Sequence, residues 1–253
     1  MRTALRTLAF GQLDSARVWG AAWIQGIEEP GLAFLGSGTA PGAAARLRLT
    51  ADGDGGGEEW RMEAEGGTLA AAPVVEPVAV GASEEGIDGR EQLCRVTGRF
   101  EHGGLGHDVD CLGVRTWWAD TLDLDRYESV RAVSVWFDPA EAMALTAFRP
   151  RKAKAHDRDV LAAAVIAADG WAPVEDPRLS TTYGRDGWPA RAGLELWLAG
   201  EEDERQYPRR ASGEALGARV EALAGGVELR AEPFRWHSRG RDGAGMYLLA
   251  RRR

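Results

Sequence analysis

Apolar and polar positions alternate with a period of two along most of the chain, the signature of strands with one face in a core. In "GLELWLAG", Leu194, Leu196 and Leu198 fall on one face, with Glu195 and Trp197 on the other. "ESVRAVSVWFDPAEAMALTAFRP" predicts strand, tight turn at Asp138-Pro139, then strand. "STTYGRDGWPARAGLELWL" predicts a second hairpin, turning at Gly184–Gly187. From "EALGARV" to "MYLLARR" three more strands are separated by Gly225-Gly226 and by "RGRDGAG". "GLAFLGSG", "ARLRLTAD", "EEWRMEAEGG" and "EQLCRVTGRFEHGG" carry the same pattern through the first half, and "ADGDGGGEE" (51–59) is a loop tip. "DRDVLAAAVIAADG" (157–170) is ambiguous, since its alanines suit a helix and its length a buried strand; we assign it as strand. The expected fold is all-β, with two antiparallel barrel or sandwich halves at 1–115 and 116–253.

Composition narrows the function classes. With 253 residues the chain can bury a substantial core, and 44% hydrophobic with 28% charged residues is ordinary for a globular protein. A net charge of −8 argues against nucleic acid as a partner, which needs a basic stripe. No run is apolar enough for a membrane span and no signal peptide is evident, so the cytoplasm is the expected location; "EEDER" (201–205) is a solvated loop. Cys94 and Cys111 leave room for one disulfide and no framework. Ten tryptophans exceed what a core of this size requires, and such a surplus can line a ligand cavity.

Candidate chemistry concentrates in "EHGGLGHDVDCLGVRTWW" (101–118). His102, His107, Asp108, Asp110 and Cys111 are suitable metal donors, but their spacing fits no standard zinc pattern, and neither metal nor cofactor is expected. Asp108 and Asp110 share one face of an extended segment, about 7 Å apart. In an apolar cavity such a pair would split its pKa values, giving one protonated acid and one charged base; facing water, it would do neither. Among the histidines, His107, His156 and His237 are candidate proton carriers, His156 following a basic loop that suits the surface. No GxSxG elbow is present, and "GGLG" lacks the βαβ setting of a dinucleotide site.

The runs "GLGHDVDCLGVRTWW", "VSVWFD", "ALTAFRP" and "DPRLSTTYGRDG" resemble an actinobacterial-type group that is distantly similar to the lipocalin-like double-barrel fold of carotenoid hydratases and Diels–Alder cyclases. In that wider group a Gly-x-Arg-Asp-His-Ser-Trp-Gly-x-Arg segment links the two β domains and faces the pocket. Gly106, Gly113 and Arg115 match it, and Trp117 and Trp118 suit the aromatic positions that follow. Asp108, Val109, Asp110, Cys111 and Leu112 replace the central Arg-Asp-His-Ser-Trp, so the resemblance implies the fold and carries no mechanism.

The sequence therefore leads to a pocket for an apolar small molecule, isoprenoid or polyketide-like, with acid–base hydration, isomerisation or cyclisation as its chemistry. Asp108 or Asp110 would donate the proton, His107 would be the partner base, and Arg115 would orient an acid. Trp117, Trp118, Trp136, Tyr183, Trp197, Trp236 and His237 would line the pocket. The alternatives are a non-catalytic carrier or sensor using the same pocket, and an interaction module without one.

Overall fold

The computed structural model describes residues 5–12, 17–24, 32–37, 40–46, 48–50, 59–64, 66–82, 86–102, 104–118, 124–153, 159–167, 170–198, 207–217, 219–224 and 226–252. The segments 51–58 and 201–205, expected as loops, and His156 lie outside them.

Ten strands build the first sheet: β1 (Leu5–Gln12), β2 (Arg17–Ile24), β3 (Leu32–Ser37), β4 (Ala40–Arg46), β5 (Arg48–Thr50), β6 (Trp60–Ala64), β7 (Gly67–Pro73), β8 (Val78–Ala82), β9 (Ile87–His102) and β10 (Leu105–Trp118). Their order is β4-β3-β2-β1-β10-β9-β7-β6-β5, and β8 pairs with the first part of β9. Pairing changes to the second sheet between Trp118 and Tyr127, across a 3-10 turn at Leu124–Arg126.

The second sheet comprises β11 (Tyr127–Asp138), β12 (Glu141–Pro150), β13 (Val160–Ala167), β14 (Gly170–Tyr183), β15 (Pro189–Leu198), β16 (Arg209–Ala215), β17 (Val220–Ala224), β18 (Val227–Ser238) and β19 (Arg241–Arg252). The order is β16-β15-β14-β13-β12-β11-β19-β18-β17, and β16 also pairs with β18, which turns this sheet into a barrel. Glycine makes that closure possible. The Trp236 ring lies across Gly213 and Gly245, where an added Cβ would come within 2.8 Å and 2.6 Å of it. The chain is thus all-β, and 157–170 contributes the strand β13.

Alternation sorts the side chains into three apolar layers. One lies within the first sheet and includes Phe10, Trp19, Trp60, Phe100 and Trp117. A second fills the C-terminal barrel, with Val133, Leu145, Leu194, Phe234 and Trp236. The third lies between the halves and draws on both, with Leu5, Val114 and Trp118 from one and Trp136, Phe148 and Met246 from the other. Strands such as β12 are therefore buried on both faces, which is why "AMALTAF" is continuously apolar.

Candidate functional site

Segment 101–118 forms the β9–β10 hairpin. Asp108 and Asp110 do share a face, and it is the water-facing one. Arg99, the cross-strand neighbour of Asp108, donates to it at 2.8 Å, and Arg95 clamps Asp110 through two hydrogen bonds of 2.6 and 2.7 Å. Both acids are exposed, and the Arg95 hydrogen bonds hold the Asp110 carboxyl below its ordinary pKa. The cavity wall in which such a pair would act as acid and base is not around them.

His107 points the other way, at the rim of the first layer, stacked on Phe100 (centroids 5.1 Å apart) and edge-on to Trp19 at 6.1 Å. Arg115 is on that same side, fully buried, with its guanidinium 5.1 Å from the Trp60 ring centre and 5.7 Å from that of Trp117. It donates to Gln92 Oε1 at 2.8 Å from Nε and to the Ala71 carbonyl at 3.3 Å, tying β7, β9 and β10 together; burial pushes its pKa down. Eight residues of extended chain put His107 and Arg115 about 26 Å apart, so the four candidate catalytic residues do not meet.

The candidate lining residues are likewise dispersed. Trp117 is inside the first half; Trp118 and Trp136 lie between the halves; Trp236 plugs the C-terminal barrel. Tyr183 is exposed at that barrel's rim. Trp197, half-buried, bonds Glu195 at 2.9 Å on the outer surface, and His237 pairs with Asp242 at 3.2 Å, also outside. Cys94 and Cys111 are free buried thiols, each pushed up to about 12 by burial.

What the tertiary structure does assemble is a cleft. β13 pairs with β12 from Val160 to Ala167 but with β14 only through Ala164–Ala167. β14 leaves its neighbour where Pro173 and Pro177 offer no N–H and where a register shift between Val174 and Asp176 bends the strand. The wall of the barrel opens along that line, and β8 of the first half lies beside the gap. The resulting cleft measures about 250 Å3, lined by Val78–Gly81, Leu161–Ala163, Val174, Glu175 and Pro177. Among the described residues, no tryptophan or tyrosine lines it.

Side chains strap the open wall from within. Arg131 of β11 pairs with Asp159, the residue before β13, both almost wholly buried, and also bonds Tyr183 at the end of β14. Thr181 of β14 meets the Tyr247 hydroxyl at 3.1 Å across the interior, and burial raises the Tyr247 pKa.

One further feature lies in the layer between the halves. The register aligns Thr7, Thr116, Glu91 and Val78 as cross-strand neighbours on β1, β10, β9 and β8, on the face turned toward the second sheet. Thr7 lines a small cavity of about 10 Å3, room for one water, which it shares with Ser134, Ala132 and Leu248. Val78, at the other end, lines the cleft. On the facing sheet Leu248, Ala132, Thr146 and Ala162 make the matching row, from the same cavity to the same cleft.

Glu91 is 1% exposed, its Oε2 has no hydrogen-bond partner, and burial alone drives its pKa well above the carboxylate range. The Trp118 indole N–H, two residues along on the neighbouring strand's same face, is also buried without a partner. Sequence reasoning missed Glu91 because "EQLCRV" follows the period-two pattern of a strand with one face in water. β9 is buried on both faces there, and alternation then carries no information.

No protein-family model matches the chain, and no curated protein matches it in sequence. Solved structures do resemble it. CghA bound to Sch210972 superposes with a TM-score of 0.67 at 12% identity, over 99% of this chain and 89% of that one. An AttH candidate from Nitrosomonas europaea gives a TM-score of 0.58 at 13% identity, over 99% and 92%. Kievitone hydratase from Nectria haematococca gives 0.54 at 8%, over 98% and 87%. At these identities the likeness is one of fold, the lipocalin-like double barrel.

Proposed function

We propose that the protein binds an apolar small molecule, isoprenoid or polyketide-like, in the cleft between β8, β13 and β14, and transforms it by acid–base hydration, isomerisation or cyclisation. The cleft carries this reading. Among the described residues its lining side chains are apolar apart from Glu175, while Glu175 and backbone groups make most of its exposed surface polar; it is open to solvent, and it lies where the halves of the fold meet. At about 250 Å3 it falls a little below the ~300–1,000 Å3 of ordinary ligand sites, so part of a ligand would project from the mouth. Hydratase and cyclase folds among the structural neighbours make this chemistry the natural class to test. Carriage without catalysis is the second reading, favoured by the exposure of Asp108 and Asp110.

Native mass spectrometry of protein purified from its own host, followed by extraction of what it carries, tests the proposal. A stoichiometric apolar molecule is the expected result. Protein that is empty, and that binds no member of an isoprenoid and polyketide panel, would overturn it in favour of an interaction module.

A further inference from the structure

Successive side chains of a strand point to opposite faces, so consecutive residues border one cleft along the strand's edge, through their backbone. Two walls of the cleft are such runs: Val78, Ala79, Val80 and Gly81 on β8, and Leu161, Ala162 and Ala163 on β13. β8 pairs with β9 on one side and, among the described residues, with no strand on the other. β13 pairs with β12 throughout, but its pairing with β14 stops at Ala164, opposite Pro173. Continued, that register would set Ala163 against Val174 and Leu161 against Asp176. The cleft lies where those pairs do not form.

Parity identifies the groups that the open edge offers. Pro173 has no N–H and takes a non-hydrogen-bonded place in the antiparallel ladder, opposite Ala164. Counting by twos, Ala163 and Leu161 are the residues whose N–H and C=O turn away from β12 and toward the gap. Among the described residues these groups have no hydrogen-bond partner. Across the gap β14 is poorer in donors, since Pro177 has no N–H, and Glu175 adds a carboxylate that only accepts. One wall thus presents donors and acceptors, and the facing wall mainly acceptors. A pure hydrocarbon would strip water from these groups and replace none of its hydrogen bonds.

A secondary amide satisfies both walls. Its carbonyl accepts from the N–H of Ala163 or Leu161, as a neighbouring strand would, and its N–H donates to the acceptors of β14. We infer that the cleft recognises an extended apolar chain interrupted by a secondary amide, seated beside β13 in place of the absent strand pairing. The inference rests on the small-molecule reading above and narrows its ligand class. Leu161 and Ala163 stand about 7 Å apart along the edge, which suits one amide with an acyl arm and an alkyl arm. Those arms would lie against Val174 and the other apolar residues of the walls.

Calorimetric titration of the whole protein with three matched probes tests this: N-hexyloctanamide, its N-methyl derivative, which has lost the N–H, and hexyl octanoate, the ester. The secondary amide should bind about tenfold tighter than either of the others, the effect of one hydrogen bond left unmade. Bound N-hexyloctanamide should also slow hydrogen exchange at the Leu161 and Ala163 amides, read by nuclear magnetic resonance. Ala163→Pro removes an N–H that no native pairing uses and should weaken the amide probe about tenfold. If that variant does not fold, exchange in the wild type carries the same question. Equal affinity of the three probes overturns the amide and leaves the small-molecule reading standing. So does binding of an isoprenoid or polyketide of the panel when none of the three probes binds. Unchanged exchange at both residues with the amide bound overturns the β13 edge as its seat. No binding by the probes or by any member of the panel overturns both readings.

Discussion

The indole N–H of Trp136 donates to the carbonyl of Gly11, 3.2 Å away, joining β11 of the C-terminal barrel to β1 of the first sheet through a fully buried contact. It fixes the docking of two layers that otherwise meet through non-directional apolar packing. Trp136→Phe keeps most of the ring and removes the donor, and should destabilise the protein by about 1–3 kcal/mol. Trp136→Ala adds a cavity and should cost about 3–5 kcal/mol. Urea unfolding followed by circular dichroism checks both; equal losses would show that the hydrogen bond contributes little.

The Arg131–Asp159 pair holds the start of β13 where backbone pairing to β14 has lapsed, with side chains only 7% and 2% exposed. Removing one partner leaves the other buried without its counter-charge, so Asp159→Asn or Arg131→Met should each cost about 3–5 kcal/mol. Replacing both with apolar residues should recover most of that loss. A double-mutant cycle measures the coupling, and additive losses would contradict it.

Glu91 makes stability depend on pH in a specific direction. Its folded-state pKa is raised by burial, so the native protein keeps the proton to higher pH than the unfolded chain does. Its contribution is complete below the ordinary carboxyl value of about 4.3 and declines as pH rises toward the folded value, by up to about 1.4 kcal/mol per pH unit. Glu91→Gln abolishes that slope, so the variant should gain on the wild type as pH rises above the ordinary carboxyl value of about 4.3. Urea midpoints at several pH values are the measurement, and parallel curves would refute the prediction.

Cys94 and Cys111 should resist alkylation by iodoacetamide at neutral pH. Burial pushes each thiol up to about 12, so little thiolate exists, and little of either side chain is exposed. Mass spectrometry should find no label on the native protein and two labels after unfolding. Rapid labelling of the native chain would mean that the first layer opens.

Asp108→Asn and Asp110→Asn should leave the melting temperature nearly unchanged, because both ion pairs lie on the water-facing surface. They should also leave ligand binding in the cleft intact. A loss of binding in either variant would bring segment 101–118 back to the site.

Period-two alternation, with Gly, Asp and Pro turns, determined the strands of this protein and their hairpins at Asp138-Pro139 and Gly184–Gly187, since strand geometry and turn chemistry are local properties. It also determined that Asp108 and Asp110 share a face, and that Leu194, Leu196 and Leu198 share another. Which face meets water and which meets the core is a property of packing, and for Asp108 and Asp110 only the docked sheet decides it. Tryptophan content did not locate a site, because a large apolar ring fills any of the three layers equally well. The cleft arises where two prolines and a bulge separate strands far apart in the chain from β8. Glu91 becomes a buried acid only because a second sheet covers its own. Sequence fixes a side chain's chemistry and parity; burial, and with it pKa and reactivity, depends on what the rest of the chain places against it.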